Sequence, residues 1–248
     1  MEETTTSTVG SAGSGRSVAA GRGVEWWSEA WALFIRAAGM WIVLTLVMLI
    51  IFFIIGIVPI IGGLAAAVLF PVFMASWALT ARKVEQGGEI ELGDLFIAIH
   101  GDKVKSLLII GALLLVFGVA IAGVAGLLGL GAMFGVAAGG ADRSITAALA
   151  ALGAGMLALL AVTAISFIAG MALWFAPSLV IFRGTAPIDA MKVSFGACMR
   201  NIVPFLLYSL VYIVAAIVAS IPFGLGWLVL APLVMITLYV SYRDVFGA

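Results

Sequence analysis

Four long segments without a single charged residue or histidine constrain this chain more than any other feature of its sequence. They span residues 37–81, 106–141, 144–182 and 201–242. Roughly 20 apolar residues cross a bilayer as an α-helix, so each segment can cross at least once, and the first and last can cross twice. With 65% apolar and 10% charged residues, the chain also lies far outside the composition of soluble proteins. We therefore expect an all-α membrane protein.

Proline and glycine divide the two outer segments into hairpins. IVPIIGG (57–63) interrupts the first segment and SIPFGLG (220–226) the last. Such residues remove a backbone donor and loosen the chain, which predicts tight turns between two crossings. Asp142 and Arg143 separate the two middle segments, so the sequence predicts a polytopic bundle of six transmembrane helices in three hairpins. Eight crossings would require two crossings and a turn within 36 residues, which is barely enough chain.

The basic residues predict the orientation of these hairpins. Under the six-helix arrangement one side receives only Arg143, and the other receives the remaining eleven: Arg16, Arg22, Arg36, Arg82, Lys83, Lys103, Lys105, Arg183, Lys192, Arg200 and Arg243. Lys and Arg near helix ends stay on the cytoplasmic side. We expect a protein of the bacterial inner membrane with both termini in the cytoplasm.

A pattern repeated three times precedes the hairpins. Three acid-to-base pairs, each eleven residues apart, stand directly before charge-free segments: Glu25 and Arg36, Asp94 and Lys105, Asp189 and Arg200. Apolar residues at helical spacing between them predict an amphipathic helix in the headgroup layer before every hairpin. A column of small residues, Ala32, Gly101 and Gly196, predicts close approach to a neighbouring helix. The chain is therefore expected to have pseudo-threefold internal symmetry.

The repeat also sets the predicted domain boundaries. Residues 1–23 are rich in Ser, Thr and Gly, lack the apolar stretch of a secretory signal, and are expected to form a disordered cytoplasmic tail. Residues 24–245 are expected to form a single membrane domain. Its three repeats cover residues 24–88, 89–185 and 186–245.

The middle hairpin is longer than the other two and rich in Gly and Ala. Two helices of roughly 33 residues would each reach about 50 Å, against a hydrocarbon core of about 30 Å, so they must tilt, break or project outward. Small residues at four-residue spacing predict that these helices pack on each other: Gly131, Gly135, Gly139, Ala147, Ala151 and Gly155. Packing within the hairpin is favoured over an oligomer interface.

The second helix of each hairpin contains a proline: Pro71, Pro177 and Pro232. Proline is tolerated in membrane helices when neighbours satisfy the freed carbonyl groups, so a packing kink is the simplest interpretation. The alternative is that the three prolines act as hinges or border a groove.

Chemistry-bearing residues are scarce. No ionisable group lies inside a charge-free segment, which argues against proton-coupled transport and intramembrane hydrolysis. The single His100 and the single Cys198 cannot build a metal site alone, so we expect no catalytic residue, metal or cofactor. A net charge of zero gives no reason to expect nucleic acid as a partner. The candidate cytoplasmic interface for partners consists of Asp94, His100, Lys105, Asp189 and Arg200.

The repeated interfacial helix and hairpin, together with WFAPSLVIFRGTAPIDAMKVSFGACMRNIVPF (174–205), give the chain a family resemblance. It resembles an uncharacterised family of bacterial six-helix inner-membrane proteins. More loosely, it is similar to the membrane domain that precedes some glycerophosphodiester phosphodiesterases. The resemblance covers roughly residues 22–245 and implies a fold, but it implies no reaction because no hydrolase segment lies in this sequence.

Three functional hypotheses follow. The first is a non-enzymatic scaffold or accessory subunit that presents interfacial helices to other membrane proteins. The second is a transporter or lipid-handling protein for an uncharged or lipidic substrate, with a groove along the three prolines. The third is an enzyme in which Asp94, His100, Asp102 and Asp189 converge on a substrate. The oligomeric state is left open.

Overall fold

The computed structural model describes residues 13–138 and 145–247, and within these ranges every regular element is helical. The chain begins with α1 (Arg22–Arg36), α2 (Ala38–Gly56), α3 (Ile61–Glu85), a 3₁₀ helix (Leu92–Phe96) and α4 (Ile97–His100). Two long helices follow, α5 (Val104–Ala138) and α6 (Ile145–Trp174). The last elements are α7 (Ala176–Arg183), α8 (Pro187–Arg200), α9 (Ile202–Ser220) and α10 (Trp227–Phe246).

Six helical stretches of the described chain are long and apolar enough to cross a membrane. They are Ala38–Gly56, Ile61–Glu85, Val104–Leu127, Gly155–Arg183, Ile202–Ser220 and Trp227–Phe246. The prediction of an all-α architecture with six membrane-compatible helices is therefore confirmed. Because α5 continues through residue 138 without a turn, the described part of the middle hairpin does not favour eight crossings.

The described chain divides into two compact units. Unit 1 contains residues 13–111 and 171–247, and unit 2 contains residues 112–170. Unit 2 consists of the greater parts of α5 and α6. Its large apolar side chains, such as Val119, Leu127, Leu152 and Leu157, are more than 60% exposed. Such surfaces suit lipid as their surroundings.

The core of unit 1 lies around α3 and α10. Over half of the apolar window of each of these helices is buried (56%), against 22% for α2 and 17% for α9. α10 packs against α1, α2, α3 and α9. Aromatic rings fill the space next to it: Phe205 lies 5.3 Å from both Trp26 and Trp174, and Tyr208 lies 5.3 Å from Trp174. Large rings contribute much apolar area and pack in tilted and edge-to-face pairs, so this cluster is a principal source of packing energy.

Single residues separate the amphipathic-patterned helices from the apolar helices that follow them. Ala37 (φ −149°, ψ 41°) lies between α1 and α2, and Asn201 (φ −113°, ψ 31°) lies between α8 and α9. These non-helical dihedral angles redirect the chain at the positions where its charged residues end. The starts of α2 and α9 were therefore correctly predicted by the last basic residues before them, Arg36 and Arg200.

The two short hairpin turns share an unusual backbone geometry. Ile60 (φ 65°) and Phe223 (φ 51°) each follow a proline and have positive φ angles, which are disfavoured for large side chains. A glycine then lies against the preceding helix. A Cβ atom would meet the carbonyl oxygen of Ile55 at 1.9 Å if added at Gly62, and Ala219 Cα at 2.5 Å if added at Gly226. Only glycine allows these close returns of the chain.

Three expectations from the sequence need correction. Between residues 92 and 105 the chain forms a 3₁₀ helix and the four-residue α4 instead of one interfacial helix, because Gly101 is extended (φ −79°, ψ 155°). Disorder does not extend through residue 23, since α1 starts at Arg22 and residues 16–18 make ordered hydrogen bonds.

The third correction concerns the column of small residues. Ala32 is exposed, and a Cβ atom at Gly196 would meet no described atom within 4 Å. Close approach occurs instead at Gly23, where a Cβ atom would lie 1.9 Å from the carbonyl oxygen of Pro204. Gly23 is required because α1 crosses the start of α9 at this position. Only the folded chain reveals that crossing.

Candidate functional site

Every ion pair among the described residues lies at one end of unit 1, where α1, α8 and the last turns of α3 and α10 are found. We call this region, together with residues 86–105, the charged end. It brings residue 16 next to residue 245, whose backbone atoms form a 2.8 Å hydrogen bond. The charged end is therefore where the two ends of the described chain meet.

Asp244, in the last turn of α10, is a buried carboxylate bound by three side chains from the N-terminal region. Arg16 donates from Nη2 to Oδ1 at 3.0 Å and from Nε to the Asp244 backbone oxygen at 2.8 Å. Arg22 donates from Nε to Oδ2 at 2.6 Å, and Trp26 donates from Nε1 to the same oxygen at 2.9 Å. A buried charge is costly unless it is paired and hydrogen-bonded. Asp244 is only 8% exposed, and these bonds supply both the counter-charge and the hydrogen-bond donors that its carboxylate requires.

Arg22 is the cation that faces the most carboxylates. Besides Asp244, it contacts Glu25 at 2.5 Å and Glu29 at 2.8 Å. Burial by itself lowers the pKa of Arg22, but the hydrogen bonds to Asp244 and Glu25 and the charge of Glu29 outweigh burial and raise the pKa. Arg22 is therefore a permanent positive charge at the centre of the cluster.

A second chain of charges joins α1 to α3 and α10. Glu29 binds Arg22 through one oxygen and Arg243 through the other. Arg243 also pairs with Glu85 in the last turn of α3, and the second oxygen of Glu85 accepts a 2.5 Å hydrogen bond from Tyr239. A network of partly buried charges contributes more than an isolated surface pair. It fastens α1 across the ends of both core helices.

Asn201 holds the segment that precedes α1. Its Nδ2 donates to the carbonyl oxygens of Arg16 at 3.0 Å and Ala197 at 2.9 Å, and its Oδ1 accepts from the backbone N–H of Val18 at 2.8 Å. Asn201 is fully buried, so these bonds satisfy both ends of its amide. Residues 16–18 thus form a strap that contacts the start of α9 and the end of α10.

The five side chains predicted as a partner interface fall into two groups. Asp94 is buried, and its oxygens accept bonds from Lys83 Nζ at 3.1 and 3.0 Å and from the backbone N–H of Glu91 at 2.9 Å. This carboxylate is used to start the 3₁₀ helix and to hold it on α3. The remaining four side chains are exposed: His100, Lys105, Asp189 and Arg200.

The four groups named in the enzyme hypothesis bind separate partners. These are Lys83 for Asp94, the carbonyl oxygen of Phe96 for His100 Nδ1, Lys103 for Asp102 and Lys192 for Asp189. No described contact joins two of the four. Within the same described residues, no group of three or more His, Cys, Asp or Glu side chains could hold a metal ion. The expectation of a non-enzymatic protein stays a prediction.

The three prolines proposed as a groove or as hinges are buried: Pro71, Pro177 and Pro232. Pro71 and Pro232 lie inside α3 and α10, which pack on each other. Pro177 lies in the first turn of α7, where backbone N–H groups have no acceptor within the helix. The missing N–H of proline therefore costs no helical hydrogen bond there. At the preceding break, Phe175 N–H donates to Ser194 Oγ at 2.9 Å, and Ser194 donates to the Met171 oxygen at 2.7 Å. These contacts favour packing kinks, and a groove stays a prediction.

The packing predicted within the middle hairpin also stays a prediction. Gly139 lies outside the described residues. A Cβ atom added at Gly155 would meet no described atom within 4 Å. The other four predicted residues lie in α5 and α6, of which only the helical backbone is described at these positions: Gly131, Gly135, Ala147 and Ala151.

Cys198 is a buried, unreactive thiol on the inner face of α8. It is 1% exposed, and its Sγ lies 3.5 Å from the carbonyl oxygen of Met171. Burial raises the pKa of the thiol to about 12, even though Ser194 partly opposes the shift. Cys198 therefore serves as a packing residue of unit 1.

A pocket of about 440 Å³ lies at the charged end, between the α1–α2 junction and the loop after α3. Arg36 and Glu89 line it together with apolar side chains that include Met40 and Ile90. The sequence predicted no role for Glu89. The pocket therefore places one basic and one acidic side chain at the boundary of an apolar helix.

No protein-family model, curated protein or solved structure matches this chain. The resemblance to six-helix inner-membrane proteins therefore stays a prediction.

Sequence reasoning missed the residues of the ion network, above all Asp244, Glu29 and Glu85. A weak signal was available. Arg22, Glu25 and Glu29 lie at i, i+3 and i+7, so they share one helix face. Tyr239 and Arg243 likewise stand one turn apart. The pairing of these faces depends on contacts more than 200 residues apart in sequence, which periodicity does not encode.

Proposed function

We propose that this protein is a non-enzymatic integral membrane scaffold or accessory subunit that binds partner proteins through α8 and residues 100–105 of the charged end. The observation that carries the proposal is the state of the charges on α8. Asp189, Lys192 and Arg200 are exposed, whereas Ala190, Ser194 and Ala197 on the opposite face of the helix are buried. Exposed charges on a rigidly held helix can select a partner by charge complementarity.

The proposed repeat gives this surface its architectural setting. α2 and α9 both have 19 residues, both follow a one-residue break, and both lead to a turn with a proline and a non-glycine residue of positive φ. These features support a repeat between residues 24–88 and 186–245, with α1 and α8 as amphipathic interfacial helices. Residues 89–185 would be the divergent copy, with a shortened interfacial segment and elongated arms.

The location we propose is the bacterial inner membrane, with the charged end and both termini in the cytoplasm. Eleven of twelve basic residues precede or follow the apolar helices on this side of the predicted topology, which supports the assignment. Partners would then be cytoplasmic proteins or the cytoplasmic parts of other membrane proteins.

Site-specific photo-crosslinking in living cells tests the proposal. A crosslinking amino acid at Lys192 or Arg200 is expected to give defined protein adducts, because these side chains are exposed on α8. The matched control at Val214, 56% exposed on the apolar α9, is expected to give lipid adducts only. Lipid adducts alone at all three positions would contradict the proposal.

A lipid-handling role is the second candidate, and the pocket beside Arg36 favours it. The buried state of the three prolines does not support a central transport groove. If the protein moves lipid, reconstituted vesicles should exchange labelled lipid between leaflets faster than protein-free vesicles. A scaffold leaves that rate unchanged.

A further inference from the structure

Arg36 and Glu89 both lie at the charged end, and neither forms an ion pair within the described residues. Among the carboxylates of the described residues, Glu89 is the one that has no basic group within 4.0 Å. Within the same residues, Arg36 makes one long hydrogen bond, 3.5 Å from Nη1 to the carbonyl oxygen of Val84. Both side chains nevertheless line the same pocket. The pocket thus presents one basic and one acidic side chain whose charged atoms are more than 4.0 Å apart.

The position of the pocket connects it to the bilayer. Arg36 is the last charged residue before the charge-free segment 37–81, so the pocket lies where headgroups meet acyl chains. Met40 is part of its wall, and Val43 and Val47 follow at i+3 and i+7 on the same face of α2. Val43 is 38% exposed. An acyl chain could therefore run along α2 from a headgroup held in the pocket.

The shape and lining of the pocket restrict the headgroup. Its volume of about 440 Å³ falls in the range of small-molecule sites, roughly 300–1,000 Å³. A guanidinium binds phosphate through charge-assisted hydrogen bonds, and a carboxylate accepts hydrogen bonds from a primary ammonium group. A quaternary ammonium group favours a cage of aromatic rings, and no aromatic residue is among the lining residues of the described pocket.

We propose that this pocket binds a zwitterionic headgroup with a phosphate and a primary amine, as in phosphatidylethanolamine, with the phosphate on Arg36 and the ammonium group on Glu89. The apolar wall at Met40 favours the lipid over a soluble phosphate ester. The inference is independent of the partner surface on α8.

Competition between lipids tests this assignment. The full-length protein is placed in nanodiscs with equal amounts of phosphatidylethanolamine, phosphatidylcholine and phosphatidylglycerol, and native mass spectrometry counts the retained lipids. The wild type is expected to retain phosphatidylethanolamine preferentially. E89Q should lower this retention about tenfold, which corresponds to the loss of one charge-assisted hydrogen bond, without lowering retention of phosphatidylglycerol. R36Q should lower the retention of both.

Two matched variants control for charge. Arg200 ends α8 as Arg36 ends α1, and Asp189 is an exposed carboxylate outside the pocket, so R200Q and D189N should bind lipid like the wild type. Equal retention of phosphatidylethanolamine by E89Q and D189N would overturn the proposal, as would equal retention of the amine and choline lipids by the wild type. If R36Q does not fold, R36K supplies the test: it keeps the charge and should retain the preference for the amine lipid.

Soluble phosphoethanolamine distinguishes the source of the headgroup. Titration into delipidated protein is expected to give weaker binding than the lipid, and E89Q should abolish it. If the protein binds the soluble compound but retains no phosphatidylethanolamine, the pocket recognises a phosphate and a primary amine, but its ligand is not a lipid. Absence of both would overturn the site.

Discussion

α1 and α8 share the placement of their terminal charges but have different surroundings. Each has an acidic residue in its first turn and ends in arginine directly before an apolar 19-residue helix. In α1 the charges of Arg22, Glu25 and Glu29 are paired with one another or with α10. In α8, Asp189 and Lys192 form only a 4.0 Å pair and are 66% and 74% exposed.

The difference shows that a shared placement of acidic and basic residues does not determine what the charged face of a helix contacts. The polar face of α1 meets the ends of α3 and α10, which carry complementary charges, so it is consumed by internal contacts. The polar face of α8 meets no such surface in the described chain and stays available. The charges of α1 therefore hold unit 1 together, whereas those of α8 stay exposed.

Replacing Asp244 with Asn should break this comparison most strongly. The variant removes the charge that Arg16, Arg22 and Trp26 bind. Because Arg16 is largely exposed and Arg22 keeps Glu25 and Glu29, we expect the free energy of unfolding to fall by about 3 kcal/mol. Denaturation in mixed detergent micelles should show this loss. The matched change in α8, D189N, should alter the free energy of unfolding by less than about 0.5 kcal/mol. Equal stability of the two variants would show that Asp244 does not anchor α1.

Gly23→Ala should have the next largest effect. The added methyl group would lie 1.9 Å from the carbonyl oxygen of Pro204, so α1 must move away from α9. Overpacking of this kind costs about 1–3 kcal/mol. Gly196→Ala in α8 has open space and should instead stabilise the helix by about 0.5 kcal/mol. Thermal unfolding of both variants in one detergent provides the comparison, and a destabilised G196A would contradict it.

Glu29→Gln should have a smaller effect. It weakens two charge-assisted contacts, to Arg22 and Arg243, and should cost about 1 kcal/mol because the network is partly solvated. K192Q in α8 should be nearly neutral. A double-mutant cycle of Glu29 with Arg243 measures their coupling, and additive effects would mean that the two side chains do not interact in solution.

Thiol labelling should separate the two faces of α8 without a change in stability. Thiol reagents attack the thiolate, and burial raises the pKa of Cys198 to about 12, so its labelling should stay negligible from pH 7 to pH 9. D189C in a C198A background should be labelled faster as pH rises through this range. An impermeant reagent should reach D189C in inside-out vesicles but not in intact cells. The reverse pattern would overturn the proposed cytoplasmic orientation.

The candidate site was only partly predictable from the sequence. Exposure of His100, Lys105, Asp189 and Arg200 follows from charges that flank apolar helices. Burial of Asp94 does not, because it depends on Lys83 reaching it from α3. The sequence also gave no reason to select Glu89. This carboxylate stands out because it has no described ion-pair partner, and no local sequence pattern predicts that.

The sequence by itself determined that the chain is helical and membrane-compatible, because long uncharged segments have few other ways to satisfy their backbone and bury their apolar surface. It also located the breaks at residues 37 and 201, where the charges end. Only the tertiary structure decided that the strap at residues 16–18, Asp244 and the Glu29–Arg243–Glu85 chain tie the two ends of the described chain together. Hydrophobic periodicity acts over a few helical turns, whereas these contacts join residues more than 150 positions apart, and only the folded backbone brings them within bonding distance.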